Sequence, residues 1–365
     1  MKIGILTSSR ADFGIYLPLL RRLQEDSFFD PRLIVFGTHL SPFHGLTVTE
    51  IEKGRFVIDA RVSTILVSDD PESISSSMAL TMDKFSTFWS NHEYDLVFCL
   101  GDRYEMFAAV AAAIPFNKTF AHIHAGEVTL GAIDNQFRDA ISLFSTFFFT
   151  SNTEYSDRLK RVVGTAKNII NVGALSLDNI GQIPLYSISE FTSIYGIDLS
   201  DPTILVTFHP ETVAPEKNQH YICELCDAIK ALSQYNFVVT MPNADTNSFV
   251  IRSGFESLSK ELSNVKIIEN FGTRGYFSCM KHCSLLLGNS SSGIIEAASF
   301  NKVVINLGDR QKGRATGSNV FHCPISKTEI VKKVNEVSVL QSVSYENIYW
   351  NGGAANEILR FLKSI

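Results

Sequence analysis

Residues 285–299 read LLLGNSSSGIIEAAS, an apolar run that stops at Gly288-Asn289, passes through three serines and a glycine, and resumes with Ile294-Ile295. A short apolar run, a Gly/Ser turn and a renewed apolar stretch describe a strand, a tight turn and the start of a helix. Such a turn sets free backbone N–H groups and the positive end of a helix at one point, which suits the anionic oxygens of a diphosphate. Ser290 and Ser291 add hydroxyl donors, and Glu296 follows as an acceptor for ribose hydroxyls. An ordinary serine N-cap on a surface helix accounts for the same residues equally well. The segment matches neither GxxxxGK[ST] nor GxGxxG, which removes support for ATP or a nicotinamide dinucleotide.

Working outward, the same strand-to-helix pattern recurs along the chain. In the first half, strand-like runs fall at Lys2–Thr7, Arg32–Phe36, Asp95–Leu100, Lys118–His122, Phe147–Thr150 and Asn168–Val172, with helix-like stretches such as Ile15–Asp26 and Tyr104–Ala113 between them. The pattern weakens after Gly173. It restarts with Thr203–Thr207, Phe237–Thr240, Val265–Ile268, Ser284–Leu287 and Lys302–Asn306. Runs alternating with helices specify parallel sheets covered on both faces. The expected fold class is therefore α/β, two Rossmann-like doubly wound domains in tandem, over residues 1–178 and 179–353.

Composition bounds what such a protein does. Across 365 residues, 45% are hydrophobic and 19% charged, enough apolar material for two cores. A net charge of −6 and no basic run argue against nucleic acid as a partner. No apolar run approaches the ~20 residues of a membrane span, and the N-terminus lacks a signal-peptide core, so a cytoplasmic protein is expected. Cys223-Glu-Leu-Cys226 has a zinc-like spacing, but it sits in a stretch of helical periodicity where cysteine packs as a small apolar residue.

The polar residues cluster where the strands end. Arg10 follows the first run, and Asp102 and Arg103 follow DLVFCL. KTFAHIH leads into Glu127, with Asp134 shortly after; His209 follows TILVTF, Asn243 follows FVVT, and Arg310 and Arg314 follow the last run. Parallel sheets bind ligands at the carboxyl ends of their strands. Asp102, His124, Glu127 and Asp134 are the acid–base candidates, because clustered titratable groups split into proton donors and acceptors. Helix capping or turn formation is the alternative for Asp102 and Asp134, and packing for His122. A His-x-His pair can also ligate metal, yet no third ligand has suitable spacing.

Taken in order, SSRADFG (8–14), FGTHLSP (36–42), GDRYE (101–105), HIHAGEVTLGAID (122–134), FHPET (208–212), MPNAD (241–245), GNSSSGIIE (288–296) and INLGDRQKGR (305–314) span nearly the whole chain. The set resembles the UDP-N-acetylglucosamine 2-epimerase family, and within it the UDP-hydrolysing branch of sialic and nonulosonic acid biosynthesis. The resemblance implies a GT-B arrangement with an interdomain active-site cleft, and a C-terminal helix, 354–365, packing back on the first domain. It implies a homodimer that needs no cofactor and no metal. Its nucleotide-sugar substrate would be held by Ser290, Ser291, Glu296, His209, Arg10 and Arg310, with Asn243 and Arg252 as further matches. Loops near His39–Phe43 and Thr129–Ala132 would line the sugar pocket.

The implied reaction is elimination then hydration. A base takes the C2 proton, the nucleoside diphosphate leaves C1, and water adds to the glycal with protonation from the opposite face. Asp102 and Asp134 match acid/base positions of the family. Where part of the family has its third carboxylate, this chain has His124, and the nearest carboxylate is Glu127; both stand as candidates for that proton transfer. UDP-N-acetylglucosamine, yielding N-acetylmannosamine, is the expected substrate. UDP- or GDP-linked N,N'-diacetylbacillosamine is the alternative, and a GT-B glycosyltransferase is the second alternative.

Overall fold

The computed structural model describes residues 1–66, 68, 70–242, 248–340 and 343–365. Two compact units emerge: residues 1–128, 133–179 and 349–365 form the first, and 129–132 with 180–348 the second.

The first unit is built on a seven-stranded parallel sheet. Its strands are β1 (Lys2–Thr7), β2 (Asp30–Phe36), β3 (Ile58–Val62), β4 (Leu96–Leu100), β5 (Phe120–Ile123), β6 (Phe147–Thr150) and β7 (Ile169–Asn171), in the order β3-β2-β1-β4-β5-β6-β7. Successive side chains of a strand point to opposite faces. Ile3, Ile5, Leu96 and Phe98 accordingly pack into one core with Phe13 and Leu19, whereas Leu6, Val97 and Cys99 pack into another with Phe85 and Trp89. Burial on both faces explains why these strands read as continuous apolar runs.

The second unit repeats the plan with β8 (Thr203–Thr207), β9 (Asn236–Thr240), β10 (Val265–Ile268), β11 (Leu285–Gly288), β12 (Val304–Leu307) and β13 (Val320–Cys323), in the order β10-β9-β8-β11-β12-β13. Ile204 and Val206 face one core and Leu205 the other. Both sheets are of the doubly wound kind expected from the sequence.

Two strands escaped the sequence reading, β3 and β13, and both are edges. Ile58–Val62 reads IDARV and Val320–Cys323 reads VFHC, each partly exposed and interrupted by polar residues. The other two edges, β7 and β10, each keep an Ile-Ile pair and were read; in β3 and β13 polar residues break the run.

The chain's last helix, Ala354–Leu362, lies against the first helix, Arg10–Glu25, in the first unit. Asp178 fixes its start by accepting from the N–H groups of Ala354 (3.0 Å) and Ala355 (2.7 Å), the usual remedy for the unsatisfied donors of a helix N-terminus. Just upstream, the hydroxyls of Tyr155 and Tyr349 meet at 2.9 Å inside the core. Among the described residues no helix is long and apolar enough to cross a membrane.

Candidate active site

Each sheet reverses its strand order once, between β1 and β4 in the first unit and between β8 and β11 in the second. At such a switch point neighbouring connections leave in opposite directions and open a crevice beyond the carboxyl ends of the strands. Arg10 and Asp102 follow the strands of the first switch point, and His209 and Ser290 those of the second.

In the first unit, β1 runs into a capping box: Ser9 caps the helix Arg10–Glu25 and Asp12 returns the bond. Asp12 accepts from the N–H groups of Ser8 (2.7 Å) and Ser9 (3.0 Å). Arg10, half-buried, is therefore the first helical residue. Beyond β4, Arg103 occupies the N-cap of the helix Tyr104–Ala111, so Asp102 is left outside the capping role. Asp102 instead forms an ion pair with Arg138 from the helix Asp134–Leu143. Arg138 is only 2% exposed, and its second Nη donates to the carbonyl of Glu127 at 3.0 Å. One guanidinium thus joins the ends of β4 and β5.

His122 supports this from below. It is wholly buried, donates from Nε2 to the Gly101 carbonyl at 2.8 Å and sits 3.0 Å from Ser142 Oγ through Nδ1. Burial pushes its imidazole down to about 4, which keeps the ring neutral. Two residues on, His124 adopts a left-handed backbone with φ +62°. Its Nδ1 lies 2.8 Å from Glu127 Oε1, and Ser151, just past β6, donates to that same oxygen at 2.7 Å. Gly126 allows the turn: at φ +77°, a Cβ there would stand 2.5 Å from the Tyr155 carbonyl. Asp134 opens its helix behind Ile133 at the N-cap, and it lies four residues before Arg138, hence on the same helical face. Asp102, His124 and Glu127 are brought into one bonded network, with Asp134 on the face that Arg138 presents.

The second unit is organised by Asn289, which is fully buried. Its side chain accepts from the His209 N–H (2.7 Å) and donates to the His209 carbonyl (2.8 Å), a two-point clasp across β8 and β11. Its own carbonyl accepts from Gln311 at 2.8 Å and from Arg310 at 3.4 Å. Gly288, at φ +142°, leaves no room for a side chain, since a Cβ would come within 2.0 Å of the Thr207 carbonyl. Ser290 caps the short helix Ser291–Ile295, accepting from Ser292 N–H, and Glu296 closes that helix rather than lying within it. Ser292 Oγ also meets the Tyr276 hydroxyl at 2.6 Å; burial pushes that phenol up to about 12. A small recess is lined by Thr207, Tyr276, Gly288, Ser290, Ser292 and Gly293. Glu211, just past β8, accepts from the Asp309 N–H at 2.8 Å and so holds the loop that carries Arg310. Arg314 in turn donates to Thr129 Oγ1 at 3.2 Å, fixing residues 129–132 to this unit.

The UDP-N-acetylglucosamine 2-epimerase family model matches residues 21–363. This chain belongs to that family. It is 34% identical to the polysialic acid biosynthesis protein P7 of Escherichia coli, over 99% of this chain and 93% of that one. It is 33% identical to the hydrolysing GDP/UDP-N,N'-diacetylbacillosamine 2-epimerase of Campylobacter jejuni, over 89% and 85% of the two chains. Among solved structures, the UDP-GlcNAc 2-epimerase of Neisseria meningitidis bound to UDP-GlcNAc superposes with a TM-score of 0.84 over all of both chains at 17% identity. The GT-B type of fold expected from the motifs is thereby established.

Among the expected ligand contacts, His39 and Arg252 have their polar groups engaged within their own units. His39 is not exposed at all: Nε2 lies 2.9 Å from Thr7 Oγ1 and Nδ1 2.8 Å from Thr47 Oγ1, so both nitrogens are taken up inside the first unit. Burial holds it down to about 4. Through Thr7 and Thr47 it braces the loop after β2. Arg252 is committed to a bidentate pair with Glu269 at 2.7 and 2.8 Å. Asn243 lies outside the described residues. Cys223 and Cys226 are carried on the helix Asn218–Ala231, and Cys226 Sγ bonds the Gly254 carbonyl. Among the described residues no group of three or more His, Cys, Asp or Glu is placed to hold a metal ion.

Sequence reasoning passed over Arg138, Ser151 and Asn289, which tie the site together. Arg138 had a usable signal, its i+4 spacing from Asp134. Asn289 stood between a strand and a serine run, where a buried clasp and an exposed turn residue look alike.

Proposed function

We propose that this protein is a hydrolysing nucleotide-sugar 2-epimerase that converts UDP-N-acetylglucosamine and water to UDP and N-acetylmannosamine. The observation that carries the reading is the network at the ends of β4 and β5, in which Arg138 links Asp102 to the Glu127 backbone while Glu127 holds His124. Elimination followed by hydration requires one group to remove a proton at C2 and others to assist departure and return a proton. Asp102, His124, Glu127 and Asp134 supply those groups on rigid strand and helix ends. The second unit offers what a nucleoside diphosphate needs: hydroxyls at Ser290 and Ser291, the Ser290-capped turn, Glu296 for ribose, and Arg310 and His209 beside Asn289. Arg10 at the start of the first helix adds a cation.

The test is proton NMR of the protein with UDP-N-acetylglucosamine in D₂O containing EDTA. The expected products are UDP and free N-acetylmannosamine bearing deuterium at C2. Accumulation of UDP-linked N-acetylmannosamine would make the enzyme non-hydrolysing, and transfer of the sugar to an added acceptor would make it a glycosyltransferase. A second substrate reading is favoured by the 33% identity to the Campylobacter jejuni hydrolysing enzyme, whose name specifies GDP/UDP-N,N'-diacetylbacillosamine. Turnover of that sugar alone in the same assay would replace the first reading.

A further inference from the structure

We propose that the atom which accepts the C2 proton is His124 Nε2, and that Glu127 and Ser151 are positioning residues for it. This rests on the 2-epimerase reading above and assigns a role within it.

Glu127 Oε1 lies 2.8 Å from His124 Nδ1 and accepts from Ser151 Oγ at 2.7 Å. An ionised carboxylate only accepts hydrogen bonds, so the ring nitrogen facing it carries the hydrogen. A neutral imidazole has one such hydrogen. With Nδ1–H committed to Glu127, the lone pair of His124 is on Nε2. That nitrogen is buried and finds no hydrogen-bond partner among the described residues. A buried acceptor without a donor is a costly arrangement, and one that native proteins keep where chemistry uses the atom. The backbone agrees. His124 is held at φ +62°, a region a non-glycine residue occupies when its surroundings impose it. The surroundings here are Gly126 and the Arg138 bond to the Glu127 carbonyl, which also brings Asp102 alongside.

The arrangement is the carboxylate–imidazole pair in which the acid fixes the tautomer and stabilises the imidazolium that forms. In the elimination, the C2–H bond breaks and its proton passes to Nε2. The C2–H electron pair becomes the C1–C2 double bond, and the C1–O bond breaks with its pair leaving on the nucleoside diphosphate. In the hydration, an acid of the cluster delivers its proton to C2, the water oxygen bonds C1 as one of its O–H protons passes to a carboxylate of the cluster, and the imidazolium returns its proton to solvent.

The tautomer can be read directly. Full-length protein labelled with [¹⁵N]histidine, at pH 8, should give a long-range ¹⁵N–¹H pattern for His124 with hydrogen on Nδ1 and none on Nε2. A free neutral imidazole prefers hydrogen on Nε2, so the pattern is diagnostic, and Glu127→Ala should move His124 to that default. His124→Asn, chosen because asparagine tolerates a left-handed backbone, should both assign the resonance and lower kcat about 10²–10⁴-fold with little change in KM. Ser151→Ala, which leaves the ring in place, should lower kcat several-fold and weaken the Nδ1–H preference. Hydrogen on Nε2 in the wild type, or His124→Asn keeping more than about a tenth of wild-type kcat, overturns the assignment. A wild type with the Nδ1–H tautomer that turns over no nucleotide sugar sinks the functional reading while leaving the pair intact.

Discussion

Both sheets reverse strand order once, at β1/β4 in the first unit and at β8/β11 in the second, yet what stands at the two reversals differs in kind. In the first unit the strand ends carry Asp102, His124, Glu127 and Arg138, ionisable groups locked to one another. In the second, hydroxyls and an amide from Ser290, Ser292, Tyr276 and Asn289, which keep one charge state at neutral pH, meet beyond β11, with the ionisable His209, Glu211 and Arg310 around them. The first set can exchange protons. The second is better suited to hold a polar ligand without reacting with it. The fold repeats one switch-point plan in both units, and the side chains beyond the strands are what distinguish them.

The largest test of that division is Asp102→Asn. The amide keeps the shape but removes the charge that Arg138 engages and any proton exchange at this position. Turnover should fall about 10²–10⁴-fold, while the Kd for UDP, measured by calorimetry, should stay within about twofold. A tenfold loss of UDP affinity in this variant would erase the distinction between the units.

A second difference concerns acid. His39 and His122 in the first unit are both held down to about 4 by burial. Their folded-state values lie below the unfolded value of about 6.5, so the unfolded chain binds more protons as pH falls from there towards 4. Stability from these residues is fully present above about 6.5 and is lost on acidification through that window. The loss should reach about 2 kcal/mol for each histidine by pH 5. Both tryptophans, Trp89 and Trp350, belong to the first unit, so tryptophan fluorescence follows its melting alone. Its midpoint should drop by roughly 10 °C between pH 7.5 and pH 5, and His122→Asn should flatten that dependence. A midpoint that does not move would mean the two rings accept protons without unfolding.

How far the sequence spoke follows the same physics. Eleven strand runs, KIGILT and DLVFCL among them, were legible because they are largely apolar; IDARV and VFHC were not, because polar residues interrupt them. Residues that carry charge at strand ends, Asp102 and Glu127 among them, announced themselves by type and place. Their partners did not. Arg138 and Ser151 come from elsewhere in the chain, and only the parallel register of β4, β5 and β6 puts them beside Asp102 and Glu127. His39 is a related case: its type and place after a strand stand out, and only the fold brings Thr7 and Thr47 to its two nitrogens.

The smallest expected effect is the sharpest on the second unit. Ser290 Oγ lies 3.0 Å from Ser292 Oγ and accepts from the Ser292 N–H at 3.4 Å, so it both caps a one-turn helix and lines the recess beside Tyr276. Ser290→Ala removes one hydroxyl and leaves the backbone turn, which Gly288 and the Asn289 clasp hold independently. The cost of one neutral hydrogen bond is about 1 kcal/mol, which is about a fivefold rise in the Kd for UDP. If the second unit binds and the first reacts, kcat at saturating substrate should stay within about twofold, because the proton-transfer groups are untouched. If instead kcat falls with Kd unchanged, the serine acts on the leaving diphosphate during bond breaking, and binding and chemistry are shared across the two sets of strand ends.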